Sequence, residues 1–212
     1  MKPILFSTPM VQAILDGRKM MTRRVITNVN FQPWVNAGFT DEFIKAPENG
    51  LLEKAPIKAG DVLWVRETFT VMYPSLPNGR IDYDHEDVFY AANKLDAYTV
   101  KTTCVLDDDG FDTGRAFPWK PSIFMPLKYS RIFLRVTEVR AERLQDMTEE
   151  DARAEGVRET HYLGVDQTAR AAFHDLWNKL NAARGYGWDK NPWVWIYTFE
   201  RITREEAMEA ST

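Results

Sequence analysis

Residues 193–199 read Trp-Val-Trp-Ile-Tyr-Thr-Phe, with six apolar or aromatic side chains in seven positions. A run so rich in β-branched and aromatic residues predicts a strand. Successive side chains of a strand point to opposite faces, so a strand with almost no polar alternation is buried on both of them. The rest of the chain has to cover this strand on two sides.

The other periodic segments are short. Ile4-Leu5-Phe6 reads as a strand, and Thr8-Pro9 supplies a helix N-cap with proline at the first helical position. Met10, Val11, Ile14 and Leu15 follow at helical spacing, and Gly17 closes that helix. Val62–Val65 reads as a strand entered through Gly60-Asp61. Ile132, Leu134 and Val136 alternate with Phe133, Arg135 and Thr137, which predicts a strand with one core face. Thr148-Glu149-Glu150-Asp151 is a capping-box variant opening a short helix that Gly156 ends. Phe173, Leu176, Trp177 and Leu180 fall at i, i+3, i+4 and i+7, an amphipathic helix that stops near Gly185. There is no regular βαβ alternation, so the pattern predicts an α+β fold, a small mixed β-barrel flanked by helices. Residues 27–59 (Asn28, Asn30, Pro33, Asn36, Pro47) and 73–121 (Pro74, Pro77, Gly79, Asp107–Gly110, Pro118) read as two loop-rich insertions into one domain spanning residues 1–203. Residues 204–212 read as a frayed, disordered tail.

Composition narrows the function classes. A net charge of −4 and a pI near 5.5 argue against coating nucleic acid by bulk charge. No apolar run reaches the roughly 18 residues of a membrane span. The first residues carry too short an apolar stretch for a secretory signal, and the single cysteine, Cys104, excludes an internal disulfide and a multi-cysteine metal site, so the chain reads as cytoplasmic. His85, His161 and His174 show no ligand spacing, and Asp82, Asp84, Glu86 and Asp87 lack an EF-hand pattern and read as a solvated acidic loop. Neither a Walker A nor a dinucleotide glycine motif is present. No metal or cofactor is expected.

Four constellations could carry chemistry. Gly17-Arg18-Lys19-Met20-Met21-Thr22-Arg23-Arg24 reads either as a solvated charge run or as a lysine–threonine pair, in which a neutral amine takes the hydroxyl proton and makes it a nucleophile. Residues three apart in a strand point to opposite faces, so a working pair requires a turn or bulge here. Arg66 and Glu67 leave a buried strand beside Trp64, either as an ion pair or as a pocket lining. Glu155 places a carboxylate in the last turn of its helix, where the macrodipole disfavours it by roughly 0.3–1 kcal/mol. Trp119-Lys120-Pro121-Ser122-Ile123-Phe124-Met125-Pro126 reads as a proline-fixed connector. Trp177, Trp193 and Trp195 read as core, whereas Trp64 and Phe6 adjoin polar motifs and are candidates for stacking on a ligand.

Gly17-Arg18-Lys19 with Thr22 and Arg24, Gly60-Asp61, Glu155 within Thr-Glu-Glu-Asp-Ala-Arg-Ala-Glu-Gly, and the terminal apolar strand resemble the ASCH-domain family of the PUA-like superfamily. Leu63–Phe69, Pro121–Pro126 and Asn191–Trp195 are similar to its phage- and prophage-type branch. The resemblance covers most of the chain outside the two insertions and implies a PUA-like barrel. It also implies one of two functions. Some members are taken to bind RNA, and a small bacterial member is an amidohydrolase that deacylates N4-acetylcytidine with a lysine, a threonine and a glutamate. Those three fall on Lys19, Thr22 and Glu155. Met20 stands where members often carry threonine, and this chain is about twice the length of the small hydrolases.

The expected chemistry is metal-independent. Thr22 attacks the amide carbonyl of an N4-acylated cytosine nucleoside, Lys19 moves the proton, and Glu155 orients Lys19 or relays it. Phe6, Arg24, Trp64, Arg66, Glu67 and Ser122 are the expected substrate contacts, with Trp64 stacking on the base and Glu67 on its polar edge. The rival is a non-catalytic RNA- or nucleotide-binding module, in which the basic segment contacts phosphates. A phage-type nuclease is a third reading, and the lack of a clear metal cluster in the sequence counts against it.

Overall fold

A computed structural model describes the chain except for residues 28–37, 47–48, 74–81, 83, 94–103, 107–111, 117–118, 163–164 and 212. Asn28, Asn30, Pro33, Asn36 and Pro47 of the first expected insertion, and Pro74, Pro77, Gly79, Asp107–Gly110 and Pro118 of the second, lie outside the described residues.

The central element is β11, Trp193–Ile202, as the apolar run predicts. It pairs antiparallel with β8 (Phe133–Arg143) on one edge and with β2 (Met21–Val25) on the other. On the far side of β8, β3 (Val62–Arg66) pairs antiparallel, and β1 (Lys2–Leu5) then runs parallel to β3. The result is an α+β fold around a mostly antiparallel five-stranded sheet of order β1-β3-β8-β11-β2. The faces of β11 divide by parity. Trp193, Trp195, Tyr197 and Phe199 enter one core with Ile4, Leu63 and Leu134, while Val194 and Ile196 enter a second with Phe173, Trp177 and Leu144. Fully burying one such aliphatic side chain is worth about 1.5–3 kcal/mol, so both layers favour the strand.

Helices follow local rules. Helix α1, Thr8–Leu15, is capped by Ser7 rather than Thr8, because Pro9 occupies the start of the first turn. Gly17 leaves it at φ +74°, the left-handed conformation glycine tolerates. After the short helix α2 (Asp41–Lys45), helix α3 (Glu149–Ala154) carries the expected capping box: Thr148 accepts from the Asp151 N–H, and the Asp151 carboxylate accepts from the Thr148 N–H. Helix α4, Ala169–Asn181, buries Phe173 and Trp177.

Several expectations are corrected. The described part of 27–59 is not only loop: Ile44 of α2, Leu51 and Ala55 are buried in the main core. The segment 73–121 contains paired strands. Asp87–Tyr90 (β5) pairs with Phe69–Met72 (β4), and Cys104–Leu106 (β6) with Asp112–Ala116 (β7). A further small hairpin joins Thr160–Tyr162 (β9) to Val165–Gln167 (β10). Strand β8 has two covered faces at its start, since Phe133 is 1% exposed. Its cover is the supposed tail: residues Arg204–Glu209 form helix α5, opened by a Thr203/Glu206 capping box, and its fully buried Ala207 packs with Val62, Phe133 and Ile202. The tail orders because a small residue on a capped turn seals an apolar patch.

Candidate active site

The segment after α1 turns at Gly17, and Met20 then hydrogen-bonds to both sides: its N–H to Ala154 O, and its carbonyl from Phe199 N–H. Lys19 forms a backbone bridge with Glu155, at the C-terminal cap of α3. Two segments 136 residues apart are thereby laid side by side. Gly156 makes the approach possible. It has φ +88°, and a Cβ there would lie 2.8 Å from both Ala13 Cβ and Lys19 Cβ. Arg18 reinforces the junction by donating to Gly156 O at 2.6 Å.

The Lys19 and Glu155 side chains are sealed, at 0% and 3% exposed. Lys19 Nζ donates to Glu155 Oε2 at 2.7 Å, to Glu155 O at 2.9 Å and to Met21 O at 2.8 Å. All three ammonium donors are therefore used. Burial pulls the Lys19 pKa below the ordinary lysine value; contact with Glu155 opposes that, and Arg24 and Arg23 add to the fall. Arg23, which the sequence reading left out of the site, donates to the other carboxylate oxygen, Oε1, at 3.3 Å and to Asp151 at 2.7 Å. A carboxylate that the helix end disfavours is thus held by two cations from outside its own helix. Asp151 caps the start of α3 and anchors Arg23 at once.

Beyond this charged network lies a cavity of about 550 Å³. Thr22, 3% exposed and paired across the sheet with Tyr197, lines it together with Glu155. Arg24, two positions along β2 and hence on the same side as Thr22, lines it as well. Phe6 forms part of the wall, with Lys19 Nζ and the Arg24 guanidinium each 5.5 Å from its ring centre. Ser122 also lines it, on the 3₁₀ turn Ser122–Phe124. The opposite wall is the α4 face carrying Phe173, Leu176, Trp177 and Leu180. Of the expected site residues, the structure therefore gathers Thr22, Glu155, Phe6, Arg24 and Ser122 around one cavity. Lys19 sits behind Glu155; among the described residues its hydrogen bonds go to Met21 and Glu155 and none reaches the Thr22 hydroxyl.

Three expected contacts lie elsewhere. Trp64 packs against the cluster of Val62, Phe133 and Ile202, with the Arg66 guanidinium 5.3 Å from its ring centre. Glu67, 1% exposed, accepts a two-pronged pair from Arg131 at 2.9 and 3.0 Å, so its oxygens are engaged. Arg66 donates to the carbonyls of Ile123 and Met125, which fastens the connector carrying Ser122. Adjacency to a polar motif does not say which side of a strand meets the cavity, and that is why these three were misplaced. Arg184 and Asn181 also line the cavity and were missed. The only sequence signal was that the apolar stripe of α4 runs on to the exposed Leu180, past what the core covers. No group of three or more metal-ligating side chains occurs among the described residues, and no helix there is long and apolar enough to cross a membrane.

No family model matches the chain, and comparison with curated proteins and with solved structures gives no significant match.

Proposed function

We propose that this cavity is the active site of a metal-independent amidohydrolase that removes the acyl group from N4-acylated cytosine nucleosides. The observation that supports it most is that a buried threonine and a buried carboxylate line the same cavity, with a lysine amine 2.7 Å from the carboxylate. Thr22 Oγ1 bonds to the amide carbon, and its proton passes through Glu155 to a neutral Lys19. The C–N bond then breaks, the leaving amine takes the proton back along the same path, and the acyl group remains as a threonine ester. Water hydrolyses the ester, releasing the carboxylic acid and restoring Thr22. Arg23 holds Glu155 in place through its other oxygen. The ASCH resemblance points to the same three residues, and with it we propose that the five-stranded sheet belongs to a PUA-like barrel working in the cytoplasm.

The test is turnover of N4-acetylcytidine, followed by the ultraviolet change as cytidine appears. The wild-type protein should hydrolyse it, Thr22→Val should not, and Thr22→Ser should recover part of the rate. Full activity in Thr22→Val refutes the nucleophile. An inactive wild type that binds single-stranded RNA, with an affinity falling steeply in salt, favours the binding-module reading instead.

A further inference from the structure

From two guanidinium groups that line the cavity without an ion pair among the described residues, we infer an anion subsite. The substrate is then a phosphate-bearing nucleotide rather than a bare nucleoside. The inference deepens the proposed function and rests on it for the identity of the base.

Arg24 comes from β2, and Arg184 from the 3₁₀ turn Ala182–Arg184 that follows α4. Both line the 550 Å³ cavity; Arg24 is attracted by Glu155 more than it is repelled by Arg184. Among the described residues neither has a carboxylate oxygen within ion-pair distance. Arg24 donates instead to a neutral acceptor, Leu5 O, at 2.8 Å and lies over the Phe6 ring. The nearest carboxylate on the cavity wall, Glu155, is already taken up by Lys19 and Arg23. Two guanidinium charges that face one space and form no ion pair attract an anion placed between them. Guanidinium groups present planar pairs of N–H donors that match the oxygens of a phosphate. The rest of the cavity suits the remainder of a nucleotide. The α4 face with Leu176 and Leu180 offers an apolar wall, Thr22 and Glu155 lie at the reacting end, and the volume lies within the range of small-ligand pockets, roughly 300–1,000 Å³. An overall acidic chain that brings two arginines outside any ion pair to one cavity fits a short-range anion site better than a long nucleic-acid track.

The test is calorimetric binding of cytidine and of cytidine 5′-monophosphate to the full chain. The monophosphate should bind at least about ten-fold more tightly, and inorganic phosphate should weaken it while leaving cytidine unaffected. Arg184→Gln should bring the monophosphate down to the affinity of cytidine. Arg201→Gln, which removes the same charge from an exposed position on β11, should keep the ten-fold preference. A trinucleotide without terminal phosphates separates the two sources of phosphate. If it binds more tightly than the monophosphate, the anion belongs to a strand; if more weakly, to a free nucleotide. Either result supports the subsite. Equal affinity for cytidine and its monophosphate overturns the inference, as does a preference that survives Arg184→Gln. Turnover of N4-acetylcytidine with no phosphate preference removes the subsite alone. A phosphate preference without turnover removes the hydrolase and leaves the subsite supported.

Discussion

Removing Glu155 should damage the fold far more than removing its partner Lys19, because the two do not depend on each other equally. Glu155→Leu leaves Lys19 with an ammonium group 0% exposed and no carboxylate, since its remaining bonds run to the carbonyls of Met21 and of residue 155. Stripping one partner from a buried pair costs about 3–5 kcal/mol. Lys19→Met leaves Glu155 still bonded to Arg23, which is itself held by Asp151, and the main loss is a donor to two buried carbonyls, about 1–3 kcal/mol. In a chain of this length each kcal/mol moves the melting temperature by about 2–4 °C, so Glu155→Leu should lower it by roughly 6–20 °C. The double variant Lys19→Met/Glu155→Leu buries no unpaired ammonium and should be more stable than Glu155→Leu alone. Urea unfolding of the four proteins at neutral pH, with calorimetric melts alongside, closes the cycle. A Glu155→Leu cost no greater than that of Lys19→Met, or a double variant less stable than either single, would refute the account of a carboxylate shared by two cations.

Gly156→Ala forces a left-handed backbone on a residue with a Cβ and drives that Cβ against Ala13 and Lys19. It should cost about 2–4 kcal/mol and lower turnover, read by melts and by the nucleoside assay. Because burial depresses the Lys19 pKa below 10.5, the unfolded chain holds the extra proton in the interval between the two values. Stability from that group should therefore rise with pH through the interval, and Lys19→Met should remove the rise in urea titrations. The same depression means that the rate should climb with pH as Lys19 becomes neutral, with a midpoint below 10.5; a rate that falls over that range contradicts the relay. Truncation after Thr203 uncovers Phe133 and Ile202, so it should lower stability by about 1–3 kcal/mol and increase binding of a hydrophobic dye.

Where a feature is local, the sequence was enough. The capping box of Thr148 and Asp151, the left-handed Gly17 and Gly156, and the helical spacing of Phe173 and Trp177 depend on neighbours within a few positions. The strand 193–199 was legible because a run with no polar alternation has a single arrangement that keeps it dry. The candidate triad came from a resemblance and not from spacing: nothing between residues 19 and 155 announces that they touch. The tail was misread for the opposite reason. Its residues are polar in sequence, and the one that orders it, Ala207, contributes only by filling a space that Phe133 and Ile202 create.

Local pattern was enough for the doubly covered strand, the capping box of α3, and which residue types were at hand for acid, base and nucleophile. It took long-range packing to have Arg23 share Glu155 with Lys19, to engage Glu67 with Arg131, to seat Trp64 against Val62, Phe133 and Ile202, and to bring Arg184 to the cavity lining. The physical reason is range. Backbone conformation and hydrophobic periodicity are set within a turn or a strand, whereas a charge becomes a partner, a base or a binding group according to what is packed against it from 64 to 136 residues away.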